Sequence, residues 1–232
     1  RTTGRKPQIW NAVTGEISDV TYMTGSRSTY VEMDLKSADA LFVVFCGEAD
    51  KRLRHRATES LPLQSDTIAS PWRVVFGRKM GTPDAIVMDS LKSYIDTTLA
   101  IANPAEARAI KYFSGTAAYH NRFFLGAVDS TRTYRIDLGT VNYMAEVWAN
   151  GKYCGLTWFS PHSIDISAAV KEGENTLEIR VTNPWKNRIC GDKLAKAGET
   201  TYTWTSYPWS KKTKNILMPA GLLGPVTITL YK

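Results

Sequence analysis

The sequence is poor in the residues that build metal centres, disulfide frameworks and membrane spans. It has 3 cysteines and 3 histidines among 232 residues. Cys46, Cys154 and Cys190 are widely spaced, which fits neither a zinc site nor a complete disulfide set, although a Cys154–Cys190 bridge stays open. Cys46 ends an apolar run and is therefore expected to be a buried free thiol. No apolar run approaches ~18 residues, so we expect no membrane insertion.

The motifs of nucleotide and serine chemistry are also missing. The sequence contains neither G-x-G-x-x-G nor a Walker A loop, and no G-x-S-x-G elbow accompanies its histidines. His55, His120 and His162 do not stand at metal-ligand spacing. These absences argue against a nucleotide-binding fold, a serine hydrolase and a histidine metal site.

Positive charge is in excess but dispersed. Lys and Arg number 29 against 22 Asp and Glu, a formal net charge of +7. The two short basic clusters, residues 51–56 and 211–214, are interpreted as a linker and a solvated loop. Nucleic acid is therefore not expected as a partner.

The pattern of apolar residues predicts an all-β fold. Ala145, Val147 and Ala149 alternate with Glu146 and Trp148, and similar alternations recur along the chain. Asn-Gly at 150–151 predicts a hairpin turn, since a type I′ turn needs two positive φ angles. The stretch 84–111 is the best candidate for helical or irregular structure. We predict a β-sandwich or jelly roll, with a partial β segment at the N-terminal side.

Composition divides the chain into three parts. Residues 1–50 supply three or four strands and are interpreted as the C-terminal strands of a preceding β domain. Residues 51–70 lose the alternation and predict a linker. Residues 71–232 are predicted to form the jelly roll itself.

Tryptophan is the most informative residue type. Five of the 7 tryptophans lie between positions 148 and 209, and indole faces pack well on the apolar faces of sugar rings. Pro184 ends a strand, so the polar and aromatic stretch 183–192 is predicted to be a loop. The candidate sugar-binding residues are Trp185, Asn187, Arg188, Asp192, Trp204 and Trp209. The alternative is structural, with Trp148 and Trp158 in the sandwich core and an internal Arg188–Asp192 salt bridge.

A catalytic role would need a pair of carboxylates, as in glycoside hydrolysis. The candidates are Glu146, Asp165, Asp192 and Glu199. Glu146 is equally well explained as a surface glutamate on a strand, and Asp165 as the cap of a short turn. No catalytic residue is therefore assigned.

Several motifs make the sequence familiar. VWANGKYCG (residues 147–155), SIDIS (163–167) and EGENTL (172–177) resemble the sugar-binding jelly roll of family 2 glycoside hydrolases. Three further motifs resemble the C-terminal module of family 106 α-L-rhamnosidase-like proteins. They are YFSGTAAY (112–119), VTNPWKNRICGD (181–192) and PAGLLGPV (219–226). IWNAVTGE (9–16) resembles the segment just upstream in that family, with Asn-Ala where the family has Asp-Pro.

The resemblance implies that this chain is an accessory module. It also implies that the catalytic centre of the parent enzyme lies mainly in a large upstream barrel domain. It implies glycan and that catalytic domain as partners, and an exported parent enzyme, periplasmic or extracellular, that degrades polysaccharide. Related jelly rolls often hold a structural calcium ion. No dense Asp/Asn run occurs here, so calcium stays an open alternative that is not assigned, and no other cofactor is expected. The chain begins Arg-Thr-Thr-Gly, and we interpret it as a piece or a processed form of a longer protein. Two alternatives stay open, a purely structural bracing domain and a glycosidase that uses a carboxylate pair.

Overall fold

The chain folds into two compact units in a computed structural model. The structure describes residues 2–13, 15–33, 35, 40–49, 62–77, 80–204 and 216–232. Contacts divide the chain at Leu61/Pro62, and each unit is described by itself. No helix within the described ranges is long and apolar enough to cross a membrane.

The first unit is a small antiparallel β structure. One sheet has the strand order β2-β1-β5, and β3 pairs with β4 in a separate ribbon. The strands are β1 Arg5–Asn11, β2 Ile17–Asp19, β3 Tyr22–Thr24, β4 Thr29–Val31 and β5 Leu41–Glu48. The apolar run that ends at Cys46 does form a strand, but its residues are mostly half-buried. Cys46 is a free thiol as predicted, yet it is only half-buried, with Sγ 3.0 Å from Gln8 Oε1.

The second unit is a β-sandwich, which confirms the predicted all-β class. Its largest sheet has the order β13-β12-β15-β9-β7-β8, and a second has the order β14-β10-β17-β6, while β11 pairs with β16. The strands are β6 Pro62–Thr67, β7 Trp72–Phe76, β8 Ala85–Met88, β9 Gly115–Leu125, β10 Thr133–Asp137, β11 Thr140–Asn142, β12 Met144–Ala149, β13 Lys152–Thr157, β14 Ser163–Asp165, β15 Gly173–Asn183, β16 Gly221–Gly224 and β17 Thr227–Tyr231.

Alternation along the strands decides what fills the core. Val147 and Ala149 are fully buried, so Trp148 between them points to the outer face of the six-stranded sheet. There the Arg180 guanidinium lies 4.2 Å from its ring centroid. Trp158 is 61% exposed. The alternative that placed these two tryptophans in the core is therefore wrong. The largest fully buried side chains include Trp72, Tyr119 and Phe113.

Two short helices and the turn chemistry refine the sequence predictions. Within the stretch 84–111, helix α1 covers Pro104–Lys111, and its N-cap Asn103 accepts a hydrogen bond from Ala105 N–H. Helix α2 covers Lys186–Lys193, where the sequence predicted a loop. The predicted hairpin turn is confirmed, with φ of 51° at Asn150 and 76° at Gly151.

Strand β6 falls inside the range that the sequence assigned to a linker. It pairs with β17 from Thr67 opposite Thr227 to Pro62 opposite Tyr231, so it belongs to the second unit. Residues 51–61, which include His55 and the first basic cluster, lie outside the described residues. So does the second basic cluster at 211–214.

Candidate functional site

Five of the six predicted sugar-binding residues lie in the segment that follows β15 or in the stretch tied to it by hydrogen bonds. Asn183, the last residue of β15, accepts a hydrogen bond from Gly115 N–H and donates one to the Phe113 carbonyl. Pro184 has no N–H with which to continue the ladder, so the chain leaves the sheet and enters α2. We call residues 185–193, residues 199–204 and Met218 the α2 rim.

Asn187 connects α2 to the segment before β16. Its side chain is buried, donates to the Met218 carbonyl at 2.7 Å and accepts from the Met218 N–H at 2.9 Å. The Asn187 side chain thus makes one donor and one acceptor bond to the Met218 backbone, as a paired strand residue would. The amide of Asn187 is therefore engaged within the protein.

Arg188 and Asp192 form an ion pair inside the rim. They stand at i and i+4 on α2, with 2.7 Å between Nη2 and Oδ1 and side chains 8% and 4% exposed. The other oxygen of Asp192 accepts from the Tyr202 and Thr203 N–H groups and from the Thr203 hydroxyl. The Arg188 Cζ atom lies 5.2 Å from the centroid of the Tyr202 ring and 5.9 Å from the centroid of the Tyr112 ring. The pair thus ties the segment 199–204 to the helix.

The tryptophans of the rim face outward. Trp185 is 42% exposed at the start of α2, and Trp204 is 88% exposed directly after the segment that Asp192 holds. Trp209 lies outside the described residues. Of the six predicted residues, two are therefore exposed aromatics and three are buried structural groups.

Exposed apolar residues that the sequence did not indicate lie on and beside strands β12 and β13. Tyr143 is exposed, and its hydroxyl lies 3.5 Å from Met218 Sδ. Trp158 and Leu156 at the end of β13 are also exposed, and β13 pairs with β12, which begins next to Tyr143. Among them the sequence singles out only Trp158, in the alternative that places it in the core.

Three of the four carboxylates considered for catalysis have structural partners. Asp165 Oδ1 accepts from the Ser167 N–H and hydroxyl, which confirms the turn cap. Glu199 pairs with Arg108 at 3.2 Å. Asp192 belongs to the buried ion pair, and Glu146 is a half-buried residue on β12.

Histidine and cysteine chemistry stays structural in the described part of the chain. His162 is buried, with Nδ1 3.1 Å from the Thr157 hydroxyl, and burial lowers the pKa of its imidazole. Neither Cys154 nor Cys190 is part of a disulfide, so the bridge that the sequence left open does not form. Among the residues described, no group of three His, Cys, Asp or Glu side chains is placed to hold a metal ion.

Comparison with known proteins gives concordant matches. A family model described as "Glycosyl hydrolase 2 galactose-binding domain-like" matches residues 92–218, more than half of the chain. A Formosa agariphila protein named "Putative beta-glucuronidase" is 34% identical over 197 residues, which is 74% of this chain and 16% of that protein.

A solved structure extends the similarity to nearly the whole chain. The rhamnosidase from Novosphingobium sp. PP1Y matches 99% of this chain at 33% identity, with a TM-score of 0.82. The match covers 21% of the rhamnosidase chain. This chain therefore spans about a fifth or less of the length of these two relatives.

Proposed function

Because the chain belongs to the glycosyl hydrolase 2 galactose-binding domain-like family, we propose that it is a non-catalytic accessory module of a larger, rhamnosidase-like glycoside hydrolase. In this proposal a separate catalytic domain breaks the glycosidic bond, and the module contacts the glycan through the α2 rim. The small share of each relative that the chain covers supports the role of a module.

One observation carries the glycan role: the buried polar groups of the rim fix the backbone from which its tryptophans project. Asp192 receives three hydrogen bonds from Tyr202 and Thr203, so Trp204 follows a segment that is held in place. Trp185 directly precedes α2, whose first turn Asn187 ties to Met218. An aromatic platform fixed before binding loses less conformational entropy when a sugar stacks on it.

The proposal gives the candidate residues two roles. Trp185, Trp204 and Trp209 are stacking platforms, and Asn187, Arg188 and Asp192 hold the platform rather than the sugar. We infer that the parent enzyme works in the periplasm or outside the cell, because the family resemblance implies that its substrate is a polysaccharide.

A glycan array on the purified chain, followed by calorimetry on each hit, tests this role. We expect Trp204→Ala and Trp185→Ala each to weaken binding at least tenfold, with the melting temperature unchanged. Trp10→Ala is the matched control, since Trp10 is an exposed tryptophan of the first unit. Equal loss in all three variants, or an array with no hits, would contradict the rim as a sugar site. The chain alone is expected to show no turnover of an aryl α-L-rhamnoside.

A second candidate function is mechanical support of the catalytic domain without sugar affinity. The observation that favours it is the exposure of Tyr143, Leu156 and Trp158 on and beside the paired strands β12 and β13. Under this hypothesis the isolated chain self-associates through these exposed residues, and adding the parent's catalytic domain abolishes the self-association. Trp158→Ala would then reduce self-association, whereas Trp10→Ala would not.

A further inference from the structure

A groove on another side of the second unit has the features of a ligand site. It consists of two adjoining hollows of about 260 and 240 Å³. Both are lined by Asp66 of β6, Phe124 and Leu125 of β9, and Ile228 of β17. We call these hollows the β6–β9 groove. Together they reach the size of small-molecule pockets, ~300–1,000 Å³.

The groove exists because β9 is longer than its neighbour. β9 has eleven residues, but β7 pairs only with residues 117–120 of it, so its last five residues run on past β7. Beside this overhang the chain crosses from β6 in one sheet to β7 in the other. Asn121 fixes the crossover, since it donates to the Ser70 carbonyl at 3.1 Å and accepts from the Ser70 hydroxyl at 2.7 Å.

The floor of the groove is apolar and its edges are polar. Leu125 and Ile228 supply apolar surface, and Phe124, which is 76% exposed, lines both hollows. The Asp66 carboxylate accepts one side-chain hydrogen bond, from Gln64 at 2.6 Å. Arg122 makes a single ion pair, 2.9 Å from Nη1 to Glu174 Oε1, in which both side chains are more than half exposed.

Most hydrogen-bonding capacity at these edges is therefore unused within the described residues. A carboxylate offers about four acceptor positions and a guanidinium five N–H donors. Here an exposed acceptor and an exposed donor line the first hollow together with Phe124. An apolar surface with a few convergent polar groups is the usual build of a small-molecule site.

We propose that the β6–β9 groove binds a pyranose unit of a glycan. The apolar face of the sugar lies on Phe124, and its hydroxyls donate to Asp66 and accept from Arg122. A sugar suits the groove because each hydroxyl can both donate and accept, and because the ring has an apolar face that matches the exposed phenyl group. This site is separate from the α2 rim and shares with the proposed function only the premise that the module meets glycan.

The test is an amide-resolved NMR titration of the full 232-residue chain with L-rhamnose, D-galactose and D-glucuronate, each added separately. We expect at least one sugar to cause saturable shifts at Asp66, Ser70 and Phe124. Phe124→Ala is expected to weaken that binding at least tenfold, and Asp66→Asn about threefold or more. Val87→Ala is the matched control, since Val87 is also an exposed apolar residue on a strand of the same sheet.

Three results would overturn the proposal. The first is no shift at these amides with any of the three sugars. The second is unchanged affinity in Phe124→Ala. The third is a shift that depends on protein concentration without sugar, which would show that a second copy of the chain occupies the groove. Shifts in the groove that persist in Trp204→Ala would support this site even if the rim proves not to bind sugar.

Discussion

The α2 rim and the β6–β9 groove contain the same three kinds of side chain, an aromatic ring, a carboxylate and an arginine. In the rim, Arg188 and Asp192 are buried and bound to each other. In the groove, Arg122 is exposed and Asp66 lies on an exposed strand, and neither bonds to the other. The comparison teaches that burial, rather than composition, separates groups that hold a fold from groups that can meet a ligand.

The largest expected effect breaks the rim. Asp192→Ala leaves the Arg188 guanidinium buried without its counter-ion and frees the segment 199–204. We expect the free energy of unfolding to fall by about 3–5 kcal/mol, the usual cost of removing one partner of a buried pair. Urea denaturation followed by far-UV circular dichroism measures it. A loss below about 1 kcal/mol would mean that the pair is effectively solvated, and the contrast with the groove would disappear.

Asn187→Ala should have an intermediate effect. It removes both hydrogen bonds to Met218 and leaves the backbone groups of that residue unpaired near the rim. The expected loss is about 1–3 kcal/mol, the cost of an unsatisfied buried polar group. Asn187→Asp keeps an acceptor but places a buried carboxylate against the Met218 carbonyl, so it should destabilise the protein at least as much as alanine in the same denaturation experiment.

A dependence on pH is expected from the loop that follows Trp158. Burial lowers the pKa of His162, so the folded protein binds a proton there less readily than the unfolded chain, whose histidine pKa is about 6.5. The contribution of His162 to stability is therefore complete above about pH 6.5 and is lost as the pH falls through the lower, folded pKa. In the His162→Gln variant, the free energy of unfolding should depend less steeply on pH between about pH 6.5 and the lower, folded pKa of the histidine. Identical curves for the two proteins would contradict this assignment.

The smallest effect is expected in the groove. Arg122→Ala removes an exposed ion pair with Glu174 and should change the free energy of unfolding by less than about 1 kcal/mol. Glu174→Ala is the matched control and should behave alike. A loss comparable to that of Asp192→Ala would show that Arg122 is a structural residue and would weaken the sugar proposal for the groove.

Local chemistry made part of this structure predictable. The Asn150–Gly151 dipeptide predicts the turn because these two residue types accept the positive φ angles that the turn needs. Asp165 predicts the cap because its side chain reaches Ser167, two residues further on. Alternation gave the all-β class, and the motifs pointed to the family that the comparisons support. Each of these signals is complete within a few neighbouring residues.

What the sequence did not predict depends on distant contacts. Helix α2 has only eight residues, too few to be stable alone, and it is held by contacts to residues 202, 203 and 218. Its sequence therefore resembled a loop. The groove depends on where β7 stops pairing with β9, a property of two strands some forty residues apart. No pattern near Phe124 indicates that termination.

The pairing of β6 with β17 has a consequence for the synthesis of the second unit and for its insertion in a longer polypeptide. These are the first and last strands of the second unit, and Pro62 lies opposite Tyr231. During synthesis the four-stranded sheet cannot close until residues 227–231 have emerged, so its final strand joins β6 to β10 in a late step. The two ends of the unit meet on one sheet. A longer polypeptide could therefore enter and leave the sandwich at a single place without reorganising its core.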